Sequence, residues 1–278
     1  VGEIVRRGVI QEAHIERGSI LLGHVGNSAP RLRGSSTLAM HRGRRTNVAE
    51  MAAPVVLVHG WGGSFLNTWQ RSGFTALLED ANRTVIGIDL LGHGQAPKPH
   101  QPEAYADLTT RITDAIPDEP VDAVGFSLGA ITLLRLACRE PHRFNRLVLA
   151  GIGENVFSTD SSGSDKIVAA LQGNLDEDDN VARLFVQYAE QPGNDKAALL
   201  AVMMRPSRGP FTLEELALVT CPTLVAIGDL DFAGPGDRLA GALANGHLAT
   251  LRKVDHFATP EAFAFIDAAL EFLDASSD

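Results

Sequence analysis

Six short apolar runs, each closed by a turn-forming residue, constrain this chain more than anything else in it. They fall at 54–59 (Pro-Val-Val-Leu-Val-His), 84–89, 121–124, 146–150, 223–227 and 249–254. Continuous apolar, β-branched runs of this length, stopped by glycine, read as strands buried on both faces, as in a parallel sheet. Helix-length stretches separate them at about 66–80, 103–116, 128–140, 235–245 and 260–274. Strand alternating with helix many times over predicts an α/β fold built on a mainly parallel, doubly wound sheet. The stretch 155–218 breaks the alternation: it has helical patterns at 164–171 and 179–189 and no strong strand. It reads as a small helical cap inserted over the strand ends. The expected division is an amino-terminal arm at 1–34, a core at 35–154 and 219–278, and the cap between.

Composition removes several function classes. A chain of 278 residues, 45% of them hydrophobic, can bury one sizeable core without disulfides or a structural metal. Its two cysteines, Cys138 and Cys221, supply neither a disulfide framework nor a four-ligand zinc site, and read as small buried apolar residues. Nine histidines show no H-E-x-x-H or other close-ligand spacing, so no metal or other cofactor is expected. No run of 18 apolar residues occurs, so no membrane span or membrane partner is expected, and a cytoplasmic location is. The net charge of −10 argues against a nucleic-acid partner. Residues 1–50 run against that sign, with eight Arg and four Glu, and their apolar cluster at 20–22 is too short for a signal-peptide core. That segment is an expression remnant, a native arm or the first strands of the sheet. Residues 36–41 have strand-like content.

The chemistry sits in the turns. Gly125-Phe126-Ser127-Leu128-Gly129 is a G-x-S-x-G pattern, in which a sharp strand-to-helix turn lifts the serine oxygen clear of the sheet. With 27 Gly in the chain, about 0.13 such matches are expected by chance, so context must decide. Here the pentapeptide ends a strand pattern and opens a helical one, the context the chemistry requires. A serine nucleophile needs a base to take its proton and a carboxylate to orient that base, in the chain order Ser, Asp or Glu, His. Two histidines lie well downstream. His247 precedes the expected last strand, at the end opposite Ser127, and reads as a surface residue. His256 follows that strand, where open α/β sheets place ligands. The carboxylate should come from the turn after 223–227, where Asp229 and Asp231 are both candidates. Asp255 adjoins the histidine and Asp89 precedes the serine, so both are weaker. The motif itself assigns one oxyanion donor to the N–H of Leu128.

With these residues in place, the chain resembles the α/β-hydrolase superfamily, the esterase and lipase group with a Ser-Asp-His triad. The likeness covers about 36–274. The family's Gly-x-x-Asp pattern implies Asp231 as the acid and leaves Asp229 as a turn residue. His59-Gly60-Trp61-Gly62-Gly63-Ser64 resembles the family's His-Gly loop, whose next residue donates the second oxyanion N–H, here Trp61. His59 then braces the loop, and Trp69 reads as core. Asp89-x-x-Gly92-x-Gly94 and Cys221-Pro222-Thr223 are further family marks. Departures are Ala96 where serine is usual, Ala130 where a second glycine is common, and Leu128 where cofactor-free haloperoxidase or perhydrolase relatives carry methionine.

The resemblance implies a serine hydrolase acting on a small-molecule ester through an acyl-enzyme, a carboxylesterase. A lactonase, a thioesterase, a C–C bond hydrolase, a perhydrolase and a weakly catalytic hydrolase-fold receptor are the rivals that use the same residues. A dinucleotide loop at 60–63 fails because Phe65 stands where G-x-G-x-x-G needs glycine. Epoxide hydrolases and dehalogenases of this fold need an aspartate where Ser127 stands. Trp61, Phe126, Leu128, Phe185, Tyr188, Met203 and Phe257 are the expected substrate contacts. They line only a modest acyl pocket, so acyl chains of about two to eight carbons are expected. Oligomeric state is not legible in the sequence.

Overall fold

The computed structural model describes residues 52–276. The expectations for the arm at 1–34 and for a strand at 36–41 therefore lie outside the described residues. Within them, six strands form one parallel sheet: β1 (Val55–Val58), β2 (Val85–Ile88), β3 (Val121–Phe126), β4 (Phe144–Ala150), β5 (Thr223–Gly228) and β6 (Gly246–Leu251), in the order β2-β1-β3-β4-β5-β6. The four inner strands are the most buried ones. β1 and β5 are buried along their whole length, because a residue on either face of an inner parallel strand meets a covering helix.

Alternation along each strand divides the core in two. Val56, Val58, Ala123, Leu147 and Leu149 enter one apolar cluster, and Val55, Leu57, Val124, Val148 and Ala150 enter the other. Helices α1 (Phe74–Asp80) and, at the carboxyl end of the chain, α9 (Phe263–Phe272) cover the second face. There Trp69 is fully buried against Phe74 and Phe265. Helices α2 (Thr110–Ala115), α3 (Leu128–Arg139) and α8 (Asp237–Ala242) cover the first. The sheet is thus doubly wound. After β1 the chain turns to one side through α1; after β3 it turns to the other through α3. The order of strands reverses between β1 and β3, and ligands of open α/β sheets bind at the carboxyl ends flanking such a point.

Four helices lie between β4 and β5: α4 (Ser162–Leu171), α5 (Asn180–Ala189), α6 (Lys196–Met203) and α7 (Leu213–Leu216). Three start at a capping side chain: Asp179 accepts the Ala182 N–H, Asp195 those of Ala197 and Ala198, and Thr212 forms a capping box with Glu215. The two stems of this segment are joined by the Phe211 N–H donating to Val156 O at 2.9 Å. Each stem also lies under a guanidinium, Arg238 over Phe157 at 3.9 Å and Arg135 over Phe211 at 3.6 Å.

The last strand differs from the sequence expectation. It runs Gly246–Leu251 rather than 249–254, because pairing with β5 fixes its register (Thr223 opposite Gly246, Gly228 opposite Leu251) and Lys253 turns at φ 58°. His247 is accordingly inside the strand, exposed and edge-on to Phe272 at 5.8 Å, still at the end away from Ser127. The expected helix at 66–80 is a wide turn at Leu66–Gln70 followed by α1, broken at Gly73 with φ 83°.

Candidate active site

Ser127 stands between β3 and α3 with φ 50° and ψ −112°, a conformation that costs a non-glycine residue on the order of 1–3 kcal/mol. Its neighbours make the turn possible. A Cβ on Gly125 would lie 2.7 Å from the Ala130 nitrogen, and one on Gly129 would lie 2.4 Å from Val58 O, so both glycines of the motif are required by backbone approach. The Ser127 N–H donates to Ala150 O at 2.8 Å, which fastens the turn to the neighbouring strand.

His256 and Asp231 reach the serine from the turns after β6 and β5. His256 Nε2 lies 3.0 Å from Ser127 Oγ, and His256 Nδ1 lies 3.0 Å from both Asp231 carboxylate oxygens. A carboxylate can only accept, so Nδ1 carries the proton and Nε2 presents its lone pair to the serine hydroxyl. Both side chains are buried, and Asp231 Oδ1 also accepts the Ala233 N–H at 2.8 Å. The other carboxylates go elsewhere. Asp229 is exposed and accepts the Lys253 N–H at 2.6 Å, closing the turn after β6. Asp255 accepts the Ala258 N–H at 2.9 Å. Asp89 accepts the N–H groups of Phe65 and Gln95, each at 2.7 Å, and so pins the loop after β1 to the loop after β2.

That pinned loop carries the second set of polar groups. Among the described residues, neither the Trp61 N–H nor the Leu128 N–H donates to a protein acceptor. His59 is fully buried beneath them. Its Nε2 accepts the Leu90 N–H at 3.1 Å, so its Nδ1–H donates to Gly60 O at 2.7 Å. Burial holds its pKa below the usual histidine value, against the opposing pull of Gly60 O and Asp89. Two contacts tie the loop to the helical segment between β4 and β5: Trp61 Nε1–H donates to Leu199 O at 3.1 Å, and Asn194 Nδ2 to Gly62 O at 2.8 Å.

Of the expected substrate contacts, the structure draws most into one aromatic cluster. Ring centroids of Trp61 and Phe185 are 5.1 Å apart, Phe185 and Phe257 5.7 Å, Tyr188 and Phe257 5.2 Å, and Phe126 and His256 5.0 Å. Leu128 is buried in the core at the start of α3, and half-buried Met203 packs against the same core from α6. Sequence reasoning missed Phe232, whose ring lies 4.3 Å from that of His256, and Asn194. Phe232 had a signal, an aromatic directly after the acid in a turn otherwise made of Gly, Pro, Asp, Leu and Ala. Asn194 had none, because its partners are carbonyls set by tertiary structure. Neither thiol competes as a nucleophile: burial raises the pKa of Cys221 and pushes Cys138 up to about 11.

Residues 53–202 match the family model described as alpha/beta hydrolase fold. The chain is 36% identical over 125 residues to 2-hydroxy-6-oxo-2,4-heptadienoate hydrolase of Pseudomonas putida, a match covering 42% of this chain and 45% of that one. It is 36% identical over 109 residues to a pimeloyl-[acyl-carrier protein] methyl ester esterase of Neisseria meningitidis, covering 38% and 39%. The chain thus spans less than half the length of these curated relatives. Among solved structures, a marine microorganism esterase superposes with a TM-score of 0.60 at 21% identity, over 80% of this chain and 96% of the other, a likeness of fold.

Proposed function

The chain belongs to the alpha/beta hydrolase fold family, and from that premise we propose that it is a serine hydrolase that cleaves small carboxylic esters. One observation carries the reading: Ser127, His256 and Asp231 form a continuous hydrogen-bonded relay, 3.0 Å at each step, on a strained turn beside two N–H groups with no acceptor among the described residues. Ser127 Oγ attacks the ester carbonyl while His256 Nε2 takes its proton, and Asp231 holds the tautomer and balances the imidazolium. The Trp61 and Leu128 N–H groups receive the oxyanion. The imidazolium returns its proton to the departing alkoxide, leaving an acyl-enzyme. Water, deprotonated by the same imidazole, then releases the acid.

The clustered aromatic rings support a small acyl site. Each buried methylene contributes about 0.8 kcal/mol, roughly a factor of four in kcat/KM, until the site is full. Rates along nitrophenyl esters from acetate to palmitate should therefore rise and peak at about two to eight carbons. Ser127→Ala should fold and lose activity by about 10⁴–10⁶-fold. A peak at long chains, or a jump in rate above the substrate's solubility limit, would mean a lipase. Retained activity in Ser127→Ala would remove the serine from the mechanism. A second reading, hydrolysis of a carbon–carbon bond, is favoured by the match to the P. putida hydrolase and is separated by assaying a 2-hydroxy-6-oxo-dienoate beside the esters.

A further inference from the structure

Two phenyl rings lie tilted against the imidazole of His256. Phe126, the last residue of β3, lies 5.0 Å away at 39°, and Phe232 lies 4.3 Å away at 37°. Phe257 meets the imidazole edge-on at 5.5 Å and 85°. At Gly151 a Cβ would sit 3.2 Å from His256 Cε1, so that edge is confined by backbone. Three of these walls belong to the fold. Phe126 is 8% exposed and part of the core, whereas Phe232 is 49% exposed on a turn. An apolar ring left half in water on a polar turn gains little there from burial. What it does cover is His256, only 4% exposed beneath it. Phe232 also follows Asp231 directly, in a turn closed by the Ala233 and Gly234 N–H groups donating to Asp231, so acid and ring are carried by one rigid unit.

We propose that Phe232 is a positioning residue for His256: its π face holds the imidazole in line with Ser127 and stabilises the imidazolium formed at each proton transfer. The inference rests on the reading of Ser127, His256 and Asp231 as the catalytic relay. A phenyl face packs against the neutral ring and attracts the cation more strongly. The contact therefore strengthens as charge develops, which makes it a transition-state interaction rather than a binding one. Around the imidazole stand Ser127 on the elbow, Asp231 on the acid turn and Asp255 on its own loop, with Tyr188, near Glu261, stacked on Phe257.

Phe232→Leu keeps an apolar cover and removes the π face; Phe232→Met is a second variant of the same kind, and Phe232→Tyr restores the ring. With nitrophenyl butyrate as substrate, Leu and Met should lower kcat by about threefold or more with KM within about twofold, and move the acid limb of the kcat/KM profile down by about half a pH unit. Tyr should stand within about twofold of the parent in both. A wild-type kcat and acid limb in Phe232→Leu, or a loss confined to KM, would overturn the proposal. Ser127→Ala separates the two failures. If it is inactive while Phe232→Leu matches the parent, only the role of Phe232 falls. If Ser127→Ala remains active, the relay falls and this inference with it.

Discussion

At the amino ends of the strands Arg83 and Asp122 meet at 2.5 Å with both side chains about 5% exposed, and the guanidinium also donates to Leu273 O and Ala53 O. At the carboxyl ends His59 and His93 lie with ring centroids 5.0 Å apart, both fully buried, the nearest carboxylate to His59 being Asp89 at 3.7 Å. One end of the sheet buries charge and cancels it by pairing. The other buries imidazoles in their neutral form and, beside a serine hydroxyl bonded to His256, leaves two N–H groups without an acceptor among the described residues. The amino end uses its polar groups to fasten β1, β2, β3 and α9 together. The carboxyl end keeps part of its polar capacity for a ligand, at the cost of a strained Ser127.

The largest test of that contrast is at the acid. Asp231→Asn should lower kcat by roughly 10³–10⁴-fold, because the amide cannot hold the tautomer or balance the imidazolium, while the fold stays intact. Asp229→Asn should leave turnover within about threefold, since an amide oxygen can still accept the Lys253 N–H. Nitrophenyl ester kinetics on the two variants decide it, and equal losses would contradict the geometry.

The amino end should respond in the opposite currency, stability without catalysis. Arg83→Met leaves the Asp122 carboxylate buried and unpaired, where burial already pushes its pKa up against the opposing pull of Arg83. Removing one member of a buried pair costs about 3–5 kcal/mol, whereas replacing both with apolar residues is often neutral. Urea unfolding should show the loss in Arg83→Met and most of it recovered in Arg83→Met/Asp122→Leu. Turnover per folded molecule should be unchanged in both. A fall in kcat would break the separation of the two ends.

How much of this was legible in the sequence follows the same division. The inner strands announced themselves because double burial demands continuous apolar runs. Ser127 and His256 stood out because a sharp serine turn and a post-strand histidine need particular residue types, whereas Asp231 was chosen over Asp229 only through the likeness to the family's Gly-x-x-Asp pattern. β6 was misplaced by three residues: at the sheet edge its side chains are largely exposed, so its pattern is mixed and pairing with β5 sets the register. The pairing of Arg83 with Asp122 left no mark in the sequence, since nothing local says that residues 39 apart meet at the amino ends of the strands. Asn194 was missed for a similar reason, because its bond to Gly62 O crosses loops that only the fold brings together, whereas Phe232 had a signal in its place directly after the acid.

The smallest effect concerns acid, and it isolates the carboxyl end. Burial is the main cause that drives His93 down to about 3, helped by neighbouring His59, Lys98 and Arg205 and opposed by Leu91 O. His59 is lowered as well, with burial its largest cause. A histidine near 6.5 in the unfolded chain and depressed in the folded one favours the unfolded state as soon as it can take a proton there. Its contribution to stability is complete above pH 6.5 and is lost progressively as pH falls toward the folded value. Each such histidine removes about 1.4 kcal/mol per pH unit once well below 6.5. Carboxylates with lowered pKa values, such as Asp107 and Asp195, begin to matter only near and below their ordinary 3.8. Between pH 6 and 5 the slope therefore reports mainly the imidazoles, opposed by Asp122, which burial pushes up so that it takes a proton more readily in the folded chain. Urea midpoints at a series of pH values should fall across that window in the parent chain. His93→Gln should lose about half of the slope, whatever it does to stability at pH 7.5. An unchanged slope would mean that His93 is free to protonate in the folded protein, and the carboxyl end would no longer differ from the amino end in how it handles buried charge.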